Sequence, residues 1–142
     1  MFQNLYTEGG QQKSEQCWGR RLVGGGLEVG CIPFVLNHFA MGDHIVEGEK
    51  EHIWKQVRSC GSSVIRFFPT SPSKKDINTL MHGVRERAGI MELAAKNEIL
   101  AIHCQTVQIE NLMSDFAEEL LAKEVILKWE FGFRPERKIE LI

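Results

Sequence analysis

The chain lacks most of the signatures that announce a chemistry. No apolar run approaches the roughly 18–20 residues that cross a bilayer, and the opening Met1-Phe2-Gln3-Asn4 has no basic-then-apolar leader pattern. Both absences set the expectation of a cytoplasmic chain with no membrane partner. The cysteines Cys17, Cys31, Cys60 and Cys104 contain no C-x-x-C pair, so in that compartment reduced thiols are expected rather than disulfides. There is no G-x-S-x-G elbow, and neither G-x-G-x-x-G nor a Walker lysine accompanies Gly24-Gly25-Gly26. A net charge of −2 over 142 residues argues against a general nucleic-acid binder, which needs a basic face. No internal repeat or low-complexity tract divides the chain.

What is present is periodicity. Ser62 to Phe68 is β-branched and aromatic and stops at Pro69, which reads as a strand. After the turn Pro69–Ser73, Ser73 and Asp76 resemble a capping box, and Ile77, Leu80, Met81, Val84 and Ala88 share one helix face. Gly89 suits the C′ position. Ile90–Ala95 and Ile99–Cys104 form two short apolar runs separated by Lys96-Asn97-Glu98, a hairpin connection. Thr106 caps a second helix whose apolar stripe is Ile109, Leu112, Met113, Phe116 and Leu120. Val125 to Phe133 alternates, with Val125, Leu127, Trp129, Phe131 and Phe133 on one face. The order β-α-β-β-α-β over residues 62–133 predicts a ferredoxin-like unit with both helices on one face of its sheet. One core is expected to hold Leu80, Phe116, Leu127 and Trp129. Because Ser62–Phe68 is apolar on both faces, the first half of the chain is expected to cover the other side.

That first half reads as short strands joined by tight turns. Residues 1–14 are polar and suggest a flexible arm. Ser14–Val23, Leu27–Ile32, His44–Glu47 and Glu51–Arg58 suggest strands, and Gly24-Gly25-Gly26 a hairpin turn. The expectation is an α+β fold. A small β-barrel-like unit over 15–61 packs on the ferredoxin-like unit over 62–133, with a tail over 134–142.

Trp18, Ile32-Pro33-Phe34, Gly42-Asp43 and Cys60-Gly61-Ser62-Ser63-Val64-Ile65-Arg66, taken in order, resemble the motifs of a bacterial family, the domain of unknown function 4265 family. Its members typically read tryptophan, hairpin, I-P-F, G-D-x-V and S-G-x-S-T-x-R. The resemblance runs from about Glu15 to Phe133. Cys60 stands where the family usually has Ser, and Val64 where it usually has Thr, so an activity resting on those hydroxyls would be lost here. The resemblance implies no catalytic mechanism and permits roles such as an inhibitor or an immunity protein in a toxin locus.

Candidate sites are few. His38, His44, His52, His82, His103 and the cysteines are the possible metal ligands, but their spacing assembles no set, and no metal or cofactor is expected. A nucleophilic site would need Ser62 or Ser63 with His44 and Asp43, and Asp43 after Gly42 reads better as a turn residue. Cys60 reads as a small half-buried hydrophobe unless a cation adjoins it. The strand Ile99–Cys104 has no aromatic with which to stack a base, so RNA is not expected, and Trp18, Trp54 and Trp129 read as core anchors. Asp43, Glu47, Glu49 and Glu51 cluster on one hairpin as a candidate face for a basic protein partner such as a toxin domain. The favoured function is a non-catalytic binding protein that sequesters or inhibits such a partner. The alternative is a small-ligand sensing domain using Ser63 and Arg66, and a hydrolase is third.

Overall fold

A computed structural model describes residues 2–136. Its strands are β1 (Phe2–Glu8), β2 (Gln11–Cys17), β3 (Gly19–Arg21), β4 (Leu27–Val29), β5 (His44–Glu47), β6 (Trp54–Arg58), β7 (Ser63–Pro69), β8 (Ile90–Leu93), β9 (Leu100–Cys104) and β10 (Ile126–Phe133). Helices α1 (Lys74–Glu86) and α2 (Val107–Ala122) follow β7 and β9. The strands form a β1–β2 ribbon, an antiparallel sheet ordered β3-β4-β5-β6 and a second antiparallel sheet ordered β10-β7-β9-β8. The protein is thus a mixed α+β fold of two small sheets and two helices.

Both helices lie on one face of the second sheet. Leu80 and Val84 of α1 and Met113, Phe116, Ala117 and Leu120 of α2 bury against Ile65, Phe67, Leu100, Ile102 and Ile126. Gly83 makes the close helix contact possible, since a Cβ there would sit 2.4 Å from the Phe116 ring. The Arg87 guanidinium covers that ring from 3.7 Å. The Ser73 hydroxyl caps α1 by accepting from the Asp76 N–H, and it donates to the Asp76 carboxylate at 2.7 Å. The helix ends one residue earlier than expected: Ala88, not Gly89, takes the left-handed turn at φ 62°. Gly89 serves packing instead, since a Cβ would meet Met113 and Val84 within 2.8 Å.

The expected strict alternation of β10 fails. Its pairing to β7 shifts between Ile126 and Lys128 and again between Phe131 and Phe133. A bulge adds a residue and reverses which side chains face inward. Ile126 is therefore buried and Leu127 is 68% exposed, while Trp129 and Phe131 pack at the core margin. Trp129 donates its indole N–H to Glu118. Leu112, expected on the buried stripe of α2, is also exposed, and so is Trp18.

The other face of β7 and β9 is covered, as the doubly apolar β7 suggested. Val64 and Ala101 pack with Ile32 and Ala40, and Phe34, Met41 and Phe133 border them. The covering half is not a closed barrel: β3 and β6 are free edges of an open four-stranded sheet among the described residues. The expected loose arm over 1–14 is instead the ribbon. Phe2 is buried there, 5.1 Å from the Trp54 ring, and the Asn4 side chain accepts from the Trp54 N–H at 3.3 Å. Aromatic burial ties down a segment whose polar composition had suggested freedom. The tail reading falls mostly on residues 137–142, outside the described residues.

Candidate functional site

Two of the motif residues, Asp43 and Arg66, are held inside the molecule by the chain's own backbone. Gly42 adopts φ 92° and turns the chain so that Asp43 points inward with no exposure. The Asp43 carboxylate accepts from the Ala40 N–H (2.8 Å), the Cys60 N–H (2.8 Å) and the Gln56 side chain (2.6 Å). It is a turn anchor, not part of an exposed acidic face.

Arg66 is equally committed. Its guanidinium donates to the Pro33 carbonyl (3.2 Å), the Val35 carbonyl (3.2 Å) and the Leu36 carbonyl, and Glu130 lies 3.7 Å away. Burial pushes its pKa below the ordinary arginine value, against the opposing effect of Glu130 and Glu15. Gly132 on β10 leaves room for it, because a Cβ would stand 2.7 Å from the guanidinium carbon. Glu15 grips the same segment by its donors: its carboxylate accepts from the N–H groups of Phe34 (2.6 Å), Val35 (3.1 Å) and Leu36 (3.0 Å). Residues 33–36 are thus held through their carbonyls by one charged group and through their amides by another. The proposed ligand role of Arg66 meets an occupied guanidinium.

Ser63 is fully buried on β7 opposite Cys104, and its hydroxyl has no hydrogen-bond partner among the described residues. His103 pairs with Val64 and so points to the other sheet face, where its Nδ1 is likewise unpartnered. Burial depresses the His103 pKa, against the pull of Asp43. His44 lies 3.9 Å from Glu28 on the outer face of the first sheet. Ser63, His44 and Asp43 are therefore not brought together. Nor are His44 and His52, which occupy opposite ends of the β5–β6 hairpin. Among the described residues no three His, Cys, Asp or Glu side chains cluster as metal ligands. Cys60 donates to the Met41 carbonyl at 3.3 Å, and burial raises its thiol pKa, with the Asp43 carboxylate adding to the shift. That is the opposite of the cationic setting a reactive thiolate requires.

A concave feature lies at the open end of the first sheet. It is a groove of about 820 Å³ between the ribbon and the sheet's inner face. Phe2 and Trp54 form an aromatic floor with Leu27, while Arg21, Glu47 and His52 supply polar groups. The glycine hairpin makes one lip. Leu22 and Gly26 close it, and a Cβ at Gly26 would lie 2.7 Å from the Ile45 carbonyl. Glu47, Glu49 and Glu51 are exposed at the neighbouring hairpin tip. Glu47 accepts from the His52 N–H at 2.9 Å, and Glu51 lies 3.4 Å from the His52 ring. Sequence reasoning found these acids but missed the groove, since Phe2, Arg21 and Trp54 meet only through the folding of the ribbon over the sheet. It also missed Glu15, whose partners lie 19–21 residues away.

The fold and its polar framework define an α+β protein in which Glu15, Asp43 and Arg66 fix the segment from Pro33 to Asp43. The chain belongs to the family described as Domain of unknown function (DUF4265), which matches residues 15–124. No curated protein matches it. A solved structure described as "Novel crystal structure of a hypothetical protein from Neisseria gonorrhoeae" is similar in fold, with a TM-score of 0.77 at 11% identity, covering 96% of this chain and 95% of that one. Among the described residues no helix is long and apolar enough to cross a membrane.

Proposed function

We propose that this protein is a non-catalytic binding protein. Its contact surface is the β5–β6 hairpin with the adjoining groove, and its occupant is a protein segment offering basic and apolar side chains. The observation that carries this reading is the aromatic floor of Phe2 and Trp54 beside exposed Glu47, Glu49 and Glu51. Aromatic anchoring supplies affinity, and complementary charge supplies orientation and association rate. Arg21 also lines the groove, so an acidic side chain on the same segment has a partner there. Sequestering or inhibiting a basic partner in the cytoplasm, as an immunity protein does for a toxin, is the specific form proposed; nucleic acid is not part of it. The ferredoxin-like identity of the second sheet belongs to the same reading, supported by its antiparallel order β10-β7-β9-β8 and its shared helix face.

The test is capture of a partner by the intact protein, followed by affinity measured from about 50 to 500 mM salt. Charge reversal at Glu47, Glu49 and Glu51 should weaken binding and flatten the salt dependence, and Trp54→Ala should weaken binding at every salt concentration. Indifference to both changes would sink the proposal. A small-ligand sensing role is the second reading, favoured by the groove volume, which falls within the roughly 300–1,000 Å³ of small-molecule sites. A metabolite retained by the wild type and lost with Trp54→Ala, with no protein partner, would select it.

A further inference from the structure

Cys17 and Cys31 flank the β3–β4 hairpin. Gly19 pairs with Val29 across it, the Gly30 N–H donates to the Trp18 carbonyl at 2.7 Å, and the Leu22 N–H donates to the Gly26 carbonyl at 3.1 Å. Hydrogen-bonded and non-hydrogen-bonded couples alternate along an antiparallel pair. Trp18–Gly30 and Leu22–Gly26 belong to the first kind and Gly19–Val29 to the second; carried two residues past the last ladder pair, the same register sets Cys17 opposite Cys31 as a couple of the second kind. Such couples bring Cα atoms to about 4.5 Å with side chains at closest approach. Disulfides span about 4.4–6.8 Å between Cα atoms. Both thiols turn into the core of the first sheet, with 1% and 7% exposure, and each is the chief influence on the other's titration.

We propose that Cys17 and Cys31 form a dithiol modification site that a small hydroperoxide oxidises to a cross-strand disulfide. This inference stands independently of the groove. Cys31 is the attacking sulfur. The neighbouring Cys17 thiol and the Trp18 backbone both favour its thiolate. Together these hold its pKa below the ordinary thiol value, against burial and the carboxylates of Glu92 and Glu15. Cys17 is pushed up by the same neighbour, and burial adds to the shift. The Cys31 sulfur displaces one peroxide oxygen: the O–O bond breaks, a sulfenic acid forms, and the leaving oxygen departs as water or alcohol with the thiol proton. The Cys17 sulfur then attacks the Cys31 sulfur. The S–S bond forms, the S–O bond breaks, and water leaves with the Cys17 proton. The thiols are oxidised by two electrons and the peroxide is reduced by two. A small oxidant fits the limited exposure of Cys31. Of the other thiols, Cys60 is exposed but lies beside the Asp43 carboxylate, and burial pushes Cys104 up to about 12.

The site is tested on the full-length reduced protein with hydrogen peroxide, then denaturation, alkylation without reductant, and peptide mapping. The expected result is a Cys17–Cys31 linked peptide two hydrogens lighter than its parts, with alkylatable thiols falling from four to two. The linkage should form equally in Cys60→Ser, and Cys17→Ser should leave a dimedone-reactive Cys31. Four alkylated thiols after peroxide treatment, or linkage only through Cys60, would overturn the proposal. The wild-type map decides even if a cysteine variant folds poorly.

Discussion

In the second sheet, Ile65, Phe67, Leu100 and Ile102 bury against Leu80, Val84, Met113 and Phe116. In the first half, the chain from Pro33 to Asp43 runs without a strand or helix and is held by Glu15, Asp43 and Arg66 through backbone hydrogen bonds. One region is organised by apolar burial, which is non-directional and tolerant of detail. The other depends on charged groups aimed at particular amides and carbonyls, where each unmade bond leaves a buried polar group stranded. Asp43 and Arg66 are framework residues of this second region. Arg66 and Asp43 are specified because backbone segments that cannot pair in a ladder need partners.

The largest effect that would sharpen this contrast is in the apolar region. Phe116→Ala should destabilise by about 3–5 kcal/mol in denaturant unfolding, because it empties the contact between the helices. Leu127→Ala should cost under about 0.5 kcal/mol, since that side chain already meets water. A large loss at Leu127 would refute the β10 bulge.

An intermediate effect is expected in the polar region. Arg66→Met keeps much of the volume but strands the carbonyls of Pro33, Val35 and Leu36, and it should cost about 2–3 kcal/mol. Amide exchange should accelerate over residues 34–36 before it does in α2. Unchanged exchange there would break the distinction between the halves.

The smallest effect is a pH dependence at the seam between them. Burial depresses the His103 pKa, so the folded state holds its proton less readily than the unfolded chain, whose value is near 6.5. Its contribution to stability is complete above that value and is lost as pH falls through the depressed folded pKa. His38 shifts in the same direction, while Glu92 is raised by burial and contributes with the opposite sign, losing stability as pH rises through its folded value. His103→Leu should therefore flatten part of the decline in denaturation midpoint between about pH 7 and 5. An unaltered slope would remove His103 from the account.

The amphipathic helices, the caps at Ser73 and Thr106, the Lys96–Glu98 hairpin and the double-faced β7 were legible because each depends on periodicity or chemistry within a few residues. Leu127 was misread because a bulge is a two-strand event: an alternating sequence looks the same whether or not its partner slips. Trp18 was misread as a core anchor because its type says nothing about which side of the first sheet is covered. At the candidate site the acids of the hairpin tip were legible as a local cluster. Asp43 was separable from them only through its turn chemistry, and the groove beside them was not legible at all.

The sequence by itself determined the α+β class and the order of strands and helices from β7 to β10, since local pattern is enough for each. Tertiary structure alone decided that the N-terminal residues form a ribbon and that the first sheet stays open. It also placed Glu15 and Arg66 on opposite polar groups of one segment, and Cys17 beside Cys31. These outcomes depend on groups far apart along the chain, whose directional bonds and facing registers exist only once the strands have paired.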